Sequence, residues 1–244
     1  MKITGIIPAR YASTRFPGKP LVDIEGKTMI RRVYEQALKA KTLSDVIVAT
    51  DDERIFKEIE RFGGKVMMTS QTHQNGTERC AEVAAKLDAD VIINIQGDEP
   101  FIQPEQIDLL ANVFKVKLEA PSIATLIKEH PFHVFDETLT NPARVKVVVN
   151  NNLEALYFSR ATIPFLRDSS KALSTTFYKH IGIYGFRKEV LLQLVKLPPS
   201  HLELAESLEQ LRWLENGYKI QCAITDMESA SVDVPEDLEG LRED

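Results

Sequence analysis

Three cations, Arg10, Arg15 and Lys19, crowd a segment without acids: only Lys2 adds charge before the first carboxylate, Asp23. The chain as a whole has 30 basic and 36 acidic residues, a net charge of −6, so this clustering runs against the overall balance. The segment reads GIIPARYASTRFPGKPL, an apolar run followed by a loop with prolines and a glycine. Guanidinium forks and an ammonium neutralise phosphate oxygens, and glycine lets backbone N–H groups approach them. Two other strand ends carry the opposite sign, Thr50-Asp51-Asp52 and Gln96-Gly97-Asp98-Glu99. A cationic loop facing carboxylates suits a polyphosphate with a divalent cation between them. Mg²⁺ takes one or two carboxylates and completes its shell with phosphate oxygens and water. The residues alone thus point to a nucleoside triphosphate with Mg²⁺; the competing reading is a solvated loop.

Holding these groups together requires a sheet whose strands end on one side. Apolar residues at Ile30, Val33, Tyr34, Ala37 and Leu38 have helical spacing and predict a helix over 28–41. DVIVAT (45–50) reads as a buried strand, 53–62 as a helix stopped by Gly63-Gly64, 65–69 as a strand and 77–87 as a helix. VIINI (91–95) is a further buried strand, and Pro104 opens a helix through Phe114. Such alternation predicts an α/β fold: three layers, a mostly parallel central sheet with helices on both faces. In such sheets ligands bind beyond the carboxyl ends of the strands.

Past residue 120 the rhythm changes. Strands are predicted at 122–127, 144–149, 155–159, 178–186 and 219–224, with Asn150-Asn151-Asn152 as a turn. One helix is expected to hold Leu202, Leu208, Leu211 and Leu214, and a terminal helix to start at Pro235. The expectation is a single domain over 1–244, with 121–176 as a small antiparallel insert serving as subunit interface or lid.

Composition and motifs exclude several classes. A pI near 5.5 without a basic tract argues against nucleic acid, and no apolar run is long enough to span a bilayer. No signal-peptide pattern opens the chain, so a cytoplasmic location is expected. Cys80 and Cys222 have neither metal nor disulfide spacing. Gly26-Lys27-Thr28 resembles a Walker A tail, but Leu21 stands where its first glycine belongs. Neither G-x-G-x-x-G nor G-x-S-x-G is present, and His130 and His133 read as loop residues.

IIPARYASTRFPGKPL resembles the signature loop of sugar nucleotidyltransferases. Further blocks, ATDDERI, HQNGTER, NIQGDEP, ALYFSRATIPF, KHIGIYGF, SLEQLRWLENG and VDVPEDLE, resemble one branch, the 3-deoxy-manno-octulosonate (Kdo) cytidylyltransferases, over essentially the whole chain. The resemblance implies transfer of a cytidylyl group from CTP to Kdo, giving CMP-Kdo and pyrophosphate for lipopolysaccharide synthesis. It implies Arg10, Arg15, Lys19, Asp98 and Asp233 as catalytic residues, with Asp98 and Asp233 as the Mg²⁺ ligands. Ala9, Arg10, Lys19, Asn75, Gly76, Arg79 and Asp98 are implied around the nucleotide. Gln96, Arg160, His180, Tyr184, Glu209 and Gln210 are implied around the sugar, and a homodimer as the assembly. Asn75 stands where the family commonly has Ser, and Val234 where Thr is frequent. From the residues alone, Asp233 could equally cap a last helix, His180 and Tyr184 could share a half-buried strand face, and Glu209 and Gln210 could be solvated. The rival functions are a cytidylyltransferase for another acidic sugar and a non-catalytic nucleotide-binding protein.

Overall fold

Alternation along the central strands places apolar side chains on both faces of one sheet. In β1 (Ile3–Ala9), Ile3 and Ile7 join one core and Ile6 the other. In β4 (Asp45–Thr50), Val46 and Val48 point one way and Ile47 and Ala49 the other. That double burial is why these strands read as continuous apolar runs. The computed structural model describes residues 1–12, 16–116, 120–131, 137–168 and 175–238.

The remaining described elements are β2 (Asp23–Ile24), β3 (Lys27–Thr28), α1 (Met29–Leu38), α2 (Glu53–Arg61), β5 (Val66–Met68), α3 (Gly76–Ala85), β6 (Val91–Asn94) and α4 (Pro104–Val116). They continue with β7 (Ile123–Pro131), α5 (Glu137–Thr140), β8 (Lys146–Val149), β9 (Ala155–Ser159), β10 (Thr176–Arg187), α6 (Lys188–Leu194), α7 (His201–Glu206), α8 (Glu209–Glu215) and β11 (Ile220–Ile224). The main sheet runs β11-β7-β10-β6-β1-β4-β5. Its contacts are parallel except where β10 lies antiparallel between β6 and β7. Side chains of α1, α2 and α4 fill one face, those of α3, α6 and α8 the other. β8 and β9 form an antiparallel extension from β10, inside the predicted insert.

The structure departs from the pattern reading where local backbone overrides periodicity. The helix expected through the leucines at 202–214 is two helices, because Ser207 turns left-handed (φ 51°) and ends α7 before α8 begins. Among the described residues the terminal helix is only a 3₁₀ turn, Pro235–Leu238. His130 lies on β7, paired with Phe177, rather than in a loop; His133 and Arg15 fall outside the described residues. β2 and β3 form an unpredicted hairpin, turned by Glu25 and Gly26 at positive φ.

β1, β4 and β6 are adjacent and parallel, so their carboxyl ends open on the same side. β10 runs the other way, with Tyr184 opposite Asn94. The residues preceding Tyr184 therefore extend beyond the carboxyl end of β6, towards the same opening.

Candidate active site

A cleft of about 340 Å³ occupies that opening, and Ala9, Arg10, Lys19, Asn75, Gly76, Arg79 and Asp98 all line it. Gln96 lines it as well. Ala9 and Arg10 sit there because β1 ends there, and Gln96 to Asp98 because they form the turn after β6. An ideal Cβ on Gly97 would lie 2.8 Å from the carbonyl oxygen of Pro8, so only glycine lets these two strand exits close on each other. Gly76, the first residue of α3, likewise leaves only 3.1 Å between an added Cβ and Pro8.

Lys19 lies on a 3₁₀ turn, Lys19–Leu21, after a left-handed Gly18. Its Nζ donates to Asp98 Oδ2 at 2.9 Å and to the Val232 carbonyl at 2.7 Å, and stands 3.9 Å from Asp233 Oδ1. The two aspartates, 135 positions apart in sequence, thus meet at one ammonium. Their nearest oxygens can be no farther apart than the sum of those two contacts. The Val232 amide donates to the Asp98 carbonyl at 2.9 Å, and the Val232 side chain is fully buried with Ile24 and Met29. Asp237 accepts the amides of Asp233 and Val234 at 2.7 and 3.0 Å, which closes the turn that carries Asp233.

The other acidic strand end has a structural job. Asp52 caps α2 and pairs with Arg54, while Asp51 accepts from Arg79 Nη2 at 2.8 Å. Arg79 also donates to the Thr69 hydroxyl and the Ser70 carbonyl, so this buried guanidinium braces the first turns of α3 against the exits of β4 and β5. Asn75 Oδ1 accepts the Glu78 amide at 2.8 Å as the α3 N-cap. Pattern reading missed His73 and Gln74, which also line the cleft. His73 Nε2 is 2.7 Å from Glu82 Oε2 and its Nδ1 is 3.7 Å from Glu78, an orientation set by two acids on α3. The signal was available, since both residues open the HQNGTER block.

Of the six residues assigned to the sugar, Gln96 lines this cleft, whereas His180, Tyr184, Glu209 and Gln210 are not among its lining residues. Gln96 Nε2 donates to the Gly182 carbonyl at 3.0 Å. His180 and Tyr184 share a face, with ring centroids 5.3 Å apart. A bulge between Ile181 and Tyr184 adds two residues against β7, an even number, which preserves the alternation. His180 Nε2 is 3.0 Å from Thr125 Oγ1, which itself contacts the carbonyls of Ile181 and Ile183 at 3.2 and 2.7 Å. Carbonyls only accept, so the single hydroxyl proton goes to them and His180 Nε2–H is the donor. Burial pushes the imidazole down to about 3, keeping it neutral with Nδ1 as an acceptor. Tyr184 is buried, and its hydroxyl, like Asn94 Oδ1, has no hydrogen-bond partner among the described residues. Glu209, at the start of α8, accepts from Thr77 Oγ1 at 2.7 Å, and burial pushes its carboxyl up to about 7. Gln210 beside it is buried.

Arg160 is placed differently. It does not line the cleft, and its guanidinium donates to the carbonyls of Glu206, Ser207 and Pro142 at 2.6, 3.2 and 3.0 Å. Those three bonds leave two of its five N–H groups without a partner among the described residues.

Comparison with known proteins gives a consistent set of likenesses. A family profile described as cytidylyltransferase matches residues 4–220. A 3-deoxy-manno-octulosonate cytidylyltransferase of Cytophaga hutchinsonii is 55% identical over 98% of this chain and 95% of its own length. One from Bacteroides thetaiotaomicron is 55% identical over 100% and 98%. Among solved structures, a CMP:2-keto-3-deoxy-manno-octonic acid synthetase complexed with CTP superposes with a TM-score of 0.91 at 43% identity, covering 98% of this chain and 96% of that one.

Proposed function

The chain belongs to the 3-deoxy-manno-octulosonate cytidylyltransferase family, and we propose that it transfers the cytidylyl group of CTP to the anomeric hydroxyl of Kdo, serving lipopolysaccharide synthesis. The hydroxyl oxygen gives up its proton to water and bonds to the α-phosphorus, the bond to the bridging oxygen breaks, and pyrophosphate leaves with the electron pair as CMP-Kdo forms. One observation carries this reading: Arg10, Lys19 and Asp98 line a single cleft, and Asp233 from the distant 230s comes to the ammonium of Lys19 beside Asp98.

Arg10 and Lys19 neutralise triphosphate oxygens, with Arg15 assigned beside them by family likeness. Held in place before the reaction, such cations stabilise charge as it moves onto pyrophosphate. Ala9, Asn75, Gly76 and Arg79 frame the nucleotide, with Asn75 and Arg79 fixed through the α3 cap and the Asp51 pair. The donor chemistry fits Mg²⁺. Asp98 and Asp233 offer hard oxygens at one ammonium, and Mg²⁺ takes one or two carboxylates and completes its shell with phosphate oxygens and water. When bound, Mg²⁺ would screen phosphate charge and acidify the sugar hydroxyl. Gln96, His180, Tyr184, Glu209 and Gln210 frame the sugar, and the uncommitted N–H groups of Arg160 suit its carboxylate.

The assembly is a homodimer built on the 121–176 insert. Leu156 on β9 and Phe165 beyond it are exposed large apolar side chains, and Leu204 on α7 is a third. No helix among the described residues is long and apolar enough to cross a membrane, and the enzyme works in the cytoplasm, where CTP and Mg²⁺ are available. Incubation of purified protein with CTP, Mg²⁺ and Kdo releases pyrophosphate and yields CMP-Kdo. No release above blank refutes the activity, and a tenfold preference for another acidic sugar, about 1.4 kcal/mol, refutes the substrate. Light scattering that reports a monomer removes the dimer.

A further inference from the structure

The segment that brings Asp233 to Asp98 leaves the sheet at its edge. β11 ends at Ile224, and residues 225–233 then run without helix or strand to the β6 exit. The Thr225 amide donates to the Ile127 carbonyl of β7 at 2.9 Å, and Gln106 Nε2 donates to the Met227 carbonyl at 3.3 Å. Glu228 pairs with Lys128 of β7 at 3.4 Å and with Lys179 of β10. The Ser229 hydroxyl donates to the carboxylate of Glu99, the buried neighbour of Asp98. The strap is therefore pinned at β7, at β10 and at the turn after β6, in the order of the strands it crosses.

Chain length alone does not fix where it lands. From β11 to β6 is three strand spacings, about 14 Å at about 4.8 Å each. The nine residues 225–233, fully extended, reach about 31 Å at about 3.4 Å each. About 17 Å of slack is taken up by backbone bonds at the two ends, Thr225 to Ile127 and Val232 to Asp98, and between them by side-chain clasps, because the strap has no strand ladder of its own. Resting on the reading of Asp98 and Asp233 as metal ligands, we propose that Glu228 and Ser229 are positioning residues. Clasped on Lys128/Lys179 and on Glu99, they set the Asp98–Asp233 separation and thereby the divalent-ion affinity of the nucleotide-loaded enzyme.

The test titrates Mn²⁺ into the full chain with CTP and no sugar. The readout is water-proton relaxation, which rises steeply when the protein holds the Mn²⁺–CTP complex. Ser229→Ala and Glu228→Gln each weaken that complex about tenfold, the lower end of what outer partners of metal ligands cost. Ser229→Thr, which keeps the hydroxyl, stays within about threefold of the parent. Calorimetric CTP binding in EDTA is unchanged in all three, which separates positioning from general loosening of the cleft. Mn²⁺ affinities within twofold of the parent in both clasp variants overturn the proposal alone, as does a proportional loss of metal-free CTP binding. A parent that holds no Mn²⁺ with CTP overturns the metal reading itself, and the proposal with it.

Discussion

Replacing Lys19 by Met separates electrostatics from packing, since it removes the ammonium and keeps the stem. In the resting protein that ammonium touches Asp98 at 2.9 Å, the Val232 carbonyl at 2.7 Å and Asp233 at 3.9 Å. The lysine side chain is 15% exposed, but Asp98 and Asp233 are 31% and 45% exposed. Solvent reaches both carboxylates, so the ion pairs contribute only about 0–1 kcal/mol each. With the carbonyl bond, the stability loss comes to about 1–2 kcal/mol. For a chain of this size that lowers the melting temperature by about 2–8 °C and leaves the protein folded at 25 °C. The kinetic effect is much larger. Removing one preorganised charge stabiliser costs about 100- to 1,000-fold in kcat, or about 2.7–4 kcal/mol. Steady-state pyrophosphate release at saturating CTP, beside thermal melts, reads both quantities. A Lys19→Met enzyme that melts a few degrees lower but keeps kcat within threefold of the parent refutes the assignment.

Glu209→Gln tests the buried carboxyl. The folded-state value near 7 stands above the ordinary 4.5, so this group's stabilising contribution is full below pH 4.5 and is lost as pH rises through about 7. The variant should therefore match the parent near pH 4 and melt above it at pH 8; parallel melting curves across that range contradict the reading. Gly97→Ala drives a Cβ to 2.8 Å from the Pro8 carbonyl, and backbone must yield at about 1–3 kcal/mol. An unchanged melting temperature and an unchanged KM for CTP exclude that clash. Lys146 is 1% exposed and donates to the carbonyls of Asn141, Arg144 and Arg160. Lys146→Met leaves three acceptors unmatched, partly offset by relief of the buried charge, for a net loss of about 2–4 kcal/mol. Urea midpoints at constant m-value measure it, and a midpoint equal to the parent's rules it out.

Much of the cleft lining was legible because short-range rules govern it. The β1 exit carries Ala9 and Arg10, the β6 exit carries Gln96 to Asp98, and α3 begins at Asn75-Gly76, each within a few residues of a strand or helix signal. What each residue does there was less legible. Asp51 and Asp52 have the composition of a metal site, yet one braces Arg79 and the other caps α2. Arg160 reads as a free carboxylate-binding fork, yet its donors reach three backbone carbonyls around α7 and Pro142. Those partners are distant in sequence, so no local pattern announces them.

The sequence by itself determined the alternation of strands and helices, the apolar runs buried on both faces, and the concentration of cations after β1. These follow from periodicity and charge, which act over a few residues. Only the tertiary structure decided that β10 runs antiparallel and carries His180 past the end of β6, and that Asp233 arrives beside Lys19. Such placements depend on strand order and on contacts across 86 to 213 positions, as in Gln96 to Gly182 and Lys19 to Val232. Those contacts acquire an energy only once the whole sheet has formed.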